Sequence, residues 1–114
     1  MKFKVTDIDD FQREVKALAK KYTSLKSDLL QLVVVLEENP TTGTHLGKGI
    51  YKTRLAITSK GRGKSGGGSV VTLVRIVDKR VYLLSIYDKA DKEDISNKEL
   101  DALLKEVQSI VKGG

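Results

Sequence analysis

The sequence contains no cysteine and no tryptophan, and has a single proline and a single histidine among its 114 residues. Without cysteine there can be no disulfide framework and no thiolate metal site, and a cytoplasmic location is the natural expectation. One histidine, His45, cannot build a histidine-based metal centre, and it lies in a predicted loop with no evident partner for a Ser-His-Asp triad. Aromatic residues make up only 5% of the chain. That argues against the broad base-stacking platforms of RRM-like and OB-like single-strand binders. No apolar run approaches the ~20 residues of a membrane span. The longest, Leu32-Val33-Val34-Val35-Leu36, suits a core segment. The N-terminal Met1-Lys2-Phe3-Lys4 lacks the apolar stretch of a secretory signal. A chain of this length is expected to form one domain over residues 1–114, large enough to bury an ordinary core.

One further absence is local. Between Asn39 and Val77 there is no aspartate or glutamate, yet this stretch holds Lys48, Lys52, Arg54, Lys60, Arg62, Lys64 and Arg75. The formal net charge of +6 is therefore concentrated here, around the run Gly61-Arg62-Gly63-Lys64-Ser65-Gly66-Gly67-Gly68, and the remainder is close to neutral. A focused positive field attracts a polyanion, and nucleic acid is the commonest one. The plainer reading, a solvated basic loop, is given less weight because the acid-free span is long.

The apolar pattern gives the order of elements. Met1 to Val5 alternates as a short strand. Thr6 with Asp9 reads as a capping-box start, and Phe11, Val15, Leu18, Ala19 and Tyr22 follow at helical spacing. Thr23 or Ser24 opens a second helix with Leu25, Leu29, Leu32, Val33 and Leu36 on one face, and Asn39-Pro40 ends it. The β-branched triplet Val33-Val34-Val35 is kept helical because cap, period and proline stop agree. Residues 41–49 read as loop. Three strands follow over Ile50–Ile57, Ser69–Val77 and Val81–Tyr87, with the glycine run as a hairpin connection. In the first of them Tyr51, Thr53, Leu55 and Ile57 share one face, and Lys52 and Arg54 the other. Ser96 and Glu99 form a capping box for a last helix carrying Leu100, Leu103, Leu104, Val107, Ile110 and Val111. Strand, two helices, three-strand meander and helix define an α+β domain with a mainly antiparallel four-stranded sheet. Its helices cover one face, and the Lys52/Arg54 face is expected to be open.

The glycine run fails as a phosphate loop, since it joins two strands and position 58 is Thr where the first glycine would be needed. The acids of Asp7, Asp9 and Asp10, and of Asp91, Glu93 and Asp94, precede helices, where they complement the helix dipole. What remains is a basic sheet face and one phenol, Tyr87, at the end of a strand. Lysine, arginine and tyrosine can cleave RNA without metal. The 2′-hydroxyl attacks phosphorus, and the reaction needs a proton acceptor at the 2′-oxygen, cations for the phosphorane and a proton donor for the 5′-oxygen. A tyrosine or lysine serving as acceptor needs its pKa lowered by cationic neighbours.

Four segments carry a resemblance: Leu46-Gly47-Lys48-Gly49-Ile50-Tyr51-Lys52-Thr53-Arg54-Leu55, the run from Lys60 to Gly67, the run from Val81 to Lys89, and Lys92-Glu93-Asp94-Ile95-Ser96. Together they resemble toxins of the RelE/ParE superfamily, in the RelE/HigB-like branch of type II toxin–antitoxin systems. The resemblance implies a microbial-RNase-like fold and metal-independent mRNA cleavage on translating ribosomes with no cofactor. It also implies an antitoxin partner that masks the basic face. By position it carries catalytic roles to Lys52, Arg54, Tyr87 and Lys89, and RNA contacts to Lys48, Lys60, Arg62, Lys64 and Ser69. Ser69 departs from the pattern. It stands where such toxins commonly place an arginine on the scissile phosphate, a loss of about 2–4 kcal/mol of transition-state stabilisation. Two other readings stay open: a gyrase-inhibiting ParE-like toxin, and a non-catalytic member that binds antitoxin or nucleic acid.

Overall fold

The computed structural model describes residues 2–60 and 67–113. Within them lie β1 (Lys4–Asp7), α1 (Asp9–Lys21), α2 (Leu25–Glu38), β2 (Thr44–Gly47), β3 (Ile50–Leu55), β4 (Gly68–Arg75), β5 (Arg80–Asp88) and α3 (Asn97–Gly113). A 3-10 turn at Thr58–Lys60 follows β3. The sheet has five strands in the order β1-β5-β4-β3-β2, with only the β1–β5 pair parallel.

The α+β class and the three helices match the pattern read from the sequence, and Val33-Val34-Val35 is helical. The four-stranded expectation is corrected to five. The extra strand, β2, falls in the stretch expected as loop; its residues are mostly exposed, so no alternation of burial marks them. The start of α1 also differs. Thr6 belongs to β1 and its hydroxyl accepts from Arg80 Nη1 at 3.2 Å, while Ile8 occupies the N-cap with no side-chain bond. The capping box of α3 is fully formed. The Ser96 N–H donates to Glu99 Oε1 at 3.0 Å and the Glu99 N–H to Ser96 Oγ at 3.1 Å.

Register assigns the faces. β3 and β4 pair without a break, so Ile50, Lys52 and Arg54 lie beside Leu73, Val71 and Ser69. On β5 a bulge at Leu84 shifts the parity, so that Tyr82, Ser85 and Tyr87 share this face. The opposite face carries Thr53, Leu55, Val70, Val81, Leu83 and Ile86, and α1 and α2 cover it with Phe11, Leu25, Leu32 and Leu36.

The Lys52/Arg54 face is only partly open, which corrects the expectation. α3 lies over its far half, where Leu104, Val107 and Val111 line one cavity with Leu73. Ile50, Val71, Leu73 and Tyr82 are buried as a result. The half bearing Lys52, Arg54, Ser69 and Tyr87 is left to the segment joining β5 to α3.

Candidate nucleic-acid site

Three adjacent strands place Arg54, Ser69 and Tyr87 in one row, since Arg54 pairs with Ser69 and Ser69 with Tyr87. Directly paired residues on one face have Cβ atoms about 5 Å apart. Lys52 stands in the next row, paired with Val71 and through it with Ser85. A strand has a side-chain period of two, so Lys52 and Arg54 are obliged to point the same way.

Asp94, on the segment after β5, ties the two rows together. Its Oδ1 accepts from Lys52 Nζ at 3.2 Å, from the Ile95 N–H at 2.9 Å and, at the limit of bonding, from the Tyr87 hydroxyl at 3.5 Å. The Ile95 amide and the Lys52 ammonium hold the Asp94 carboxyl below the ordinary carboxylate range. Lys92 Nζ lies 5.1 Å from the centre of the Tyr87 ring, a cation–π arrangement.

Tyr87 is buried. Removal from water pushes its pKa up, and the hydrogen bond with Ser69 and the charge of Lys52 only partly counter that. The cationic neighbours therefore do not make it a phenolate near neutral pH. Its chemistry is that of a neutral phenol, a proton donor rather than an acceptor.

The other sequence-predicted residues lie elsewhere. Lys60 Nζ donates to Asp88 Oδ1 at 2.8 Å, and the hydroxyl of Tyr22, the residue just past α1, donates to the same carboxylate. Asp88 follows Tyr87 and so faces α1 and α2, which sets Lys60 apart from the Lys52 row. Burial works against the Asp88 charge, but the bonds from Lys60, Tyr22 and the Ala90 N–H outweigh it and hold its pKa at about 2. Lys48 sits in the β2–β3 turn with φ 54°, beside the far end of α3 rather than beside Arg54. Lys89 is exposed one residue beyond β5, and its N–H donates to the Gly67 carbonyl. Arg62 and Lys64 lie outside the described residues.

Sequence reasoning missed Asp94 and Lys92. Asp94 stands among several acids before a helix, and nothing in its spacing distinguishes it from Asp91 or Glu93. A second carboxylate was missed as well. Glu14 Oε1 accepts from Ser85 Oγ at 3.0 Å and the Ile86 N–H at 3.2 Å, beyond the end of β1. Burial raises its pKa. Among the described residues no cluster of histidine and carboxylate side chains could hold a metal ion, and no helix is long and apolar enough to cross a membrane.

The five-stranded α+β sheet thus brings Arg54, Ser69 and Tyr87 into one row, with Lys52 in the row beside it. The chain belongs to the RelE family: the profile for the RelE toxin of the RelE/RelB toxin–antitoxin system matches residues 10–112. Among solved structures it is similar to a mutant of the E. coli toxin RelE in the free state. That match has a TM-score of 0.62 and 18% identity, and covers 94% of this chain and 99% of that one. The likeness in structure bears on fold. No curated protein matches the chain at a significant level.

Proposed function

We propose that the chain is the toxin of a type II toxin–antitoxin pair and cleaves mRNA on translating ribosomes in the cytoplasm, restrained by a RelB-type antitoxin. The observation that carries the reading is the row Arg54–Ser69–Tyr87 with Lys52 alongside, in a chain of the RelE family. Lys52 and Arg54 supply positive charge for the phosphorane that forms when a 2′-hydroxyl attacks phosphorus. Tyr87, kept protonated by burial, supplies the proton that the departing 5′-oxygen needs. The proton of the attacking 2′-hydroxyl passes to solvent water, and Lys52 and Arg54 act through the positions of their charges.

The test is translation in a cell-free extract with mRNA mapped by primer extension. Added chain should stop translation and leave cuts within codons. Tyr87→Phe should lower the cleavage rate about 100-fold, and Lys52→Ala by roughly 10- to 100-fold. Intact mRNA with both the wild-type chain and Ser69→Arg would overturn the proposal, and blocked DNA supercoiling under those conditions would favour the gyrase-directed alternative.

A specific observation favours a second reading, a binding-only member. Ser69, the centre of the row, is buried and uncharged. On that reading Ser69→Arg restores nothing, and the chain binds RNA with a steep salt dependence without cutting it.

A further inference from the structure

The donors assigned to the substrate are already engaged. Lys52 Nζ and the Tyr87 hydroxyl both reach one oxygen, Asp94 Oδ1. A carboxylate oxygen that accepts from an ammonium and a phenol makes the contacts that a non-bridging phosphate oxygen would make. Asp94 is fixed in place by the Ile95 N–H, yet its side chain remains 64% exposed while that of Lys52 is 29% exposed. The carboxylate therefore stands between Lys52 and solvent, on the side from which a strand would arrive. Its segment is also held from the other side: Lys92, over the Tyr87 ring, pairs with Glu99 of α3.

We propose that Asp94 is a resident anion occupying the phosphate position of this site, and that a polynucleotide binds by exchanging with it. This rests on the reading that the Lys52/Tyr87 face is the polyanion site, but it does not depend on cleavage. Binding one phosphate costs the Lys52–Asp94 pair and sets a fixed negative charge beside the incoming one. A single phosphate gains little from that exchange. A strand making several contacts at once displaces the carboxylate, so the site discriminates by the number of phosphates offered.

The test measures binding of a 2′-O-methyl oligoribonucleotide, which cannot be cut by 2′-hydroxyl attack, to the full chain across a salt series. Asp94→Asn keeps a carbonyl for the Ile95 N–H and removes the charge. It should bind roughly three- to tenfold more tightly at about 0.1 M salt, the scale of a partly exposed ion pair. Its log–log salt slope should steepen by about 0.7, the increment for one more neutralised phosphate on a single strand. Asp91→Asn makes the same charge change on the same segment, at a residue whose carboxylate has no bond to Lys52, and should stay within about twofold of wild type. Adding Lys52→Gln to Asp94→Asn should erase the gain. Asp94→Ser is measured in parallel, and whichever variant retains a cooperative melt decides. Unchanged or weaker binding by the folded Asp94 variant overturns the proposal, as does an equal gain from Asp91→Asn or a gain that survives Lys52→Gln. Failure of the nuclease reading shows separately, as intact mRNA in the extract.

Discussion

Replacing Asp88 by asparagine removes the charge at the junction between the Tyr87 strand and the helices behind it. Asp88 is fully buried and accepts from Lys60, Tyr22 and the Ala90 N–H. Its pKa falls from 3.8 to about 2 because those bonds outweigh the cost of burial. At 1.36 kcal/mol per tenfold in proton affinity, that difference amounts to about 2 kcal/mol of stability. The folded value lies below the unfolded one, so the contribution is complete above about pH 5 and drains away as the pH falls toward 2. Lys60 has the opposite sign. Its pKa is raised by the bond to Asp88, so its share is present below 10.5 and is lost at higher pH. At pH 7, Asp88→Asn also strands the Lys60 ammonium, whose side chain is only 13% exposed. The expected loss is about 2–4 kcal/mol, or a drop in Tm on the order of 10 °C. Urea unfolding of wild type, Asp88→Asn, Lys60→Met and the double variant gives the coupling directly, and a value of about 1.5–3 kcal/mol is expected. Asp88→Asn should also lack the acid-limb loss that wild type shows between pH 5 and pH 2. A destabilisation under about 0.5 kcal/mol, or coupling near zero, would refute the reasoning that this cluster locks the sheet to its helices.

Asp28 has a similar role in the first turn of α2, accepting from Ser24 Oγ, the Thr58 N–H and Thr58 Oγ1. Asp28→Ala should cost about 2–3 kcal/mol in urea unfolding, because buried donors lose their partner. Gly43 has φ +104°, and a Cβ there would lie 2.4 Å from the Lys52 carbonyl oxygen. Gly43→Ala should destabilise by more than about 2 kcal/mol and speed amide exchange along β3, a combination that hydrogen-exchange mass spectrometry reads. Because burial raises the pKa of Tyr87, the cleavage rate should show no alkaline fall between about pH 7 and pH 9. A fall in that window that disappears in Tyr87→Phe would contradict the proton-donor role.

The regions of the fold legible in the sequence are those in which burial imposes a period. The helix α2 is readable through its valine triplet because Leu25, Leu32 and Leu36 all face the core. The shared direction of Lys52 and Arg54 follows from strand alternation alone. β2 is not legible because an exposed edge strand has no buried face to write a pattern. The tertiary placements are hidden for a different reason. Lys60 and Lys52 look alike as cations of one acid-free stretch, yet one is drawn to Asp88 behind the sheet and the other to Asp94 in front of it. Tyr87 and Asp88 are neighbours in sequence that serve opposite faces, and only the register separates them.

The parallel pairing of β1 with β5 joins Lys4 to Arg80 and Asp7 to Leu83, across most of the chain. During synthesis β1 and both early helices leave the ribosome long before the strand that completes their sheet exists. Closing so long a loop is slow compared with forming the β3–β4 and β4–β5 hairpins, so the meander is set to assemble first and β1 to dock last. A chain interrupted before Arg80 has no place for β1 to dock and lacks Tyr87 as well, so the event that completes the sheet also completes the site.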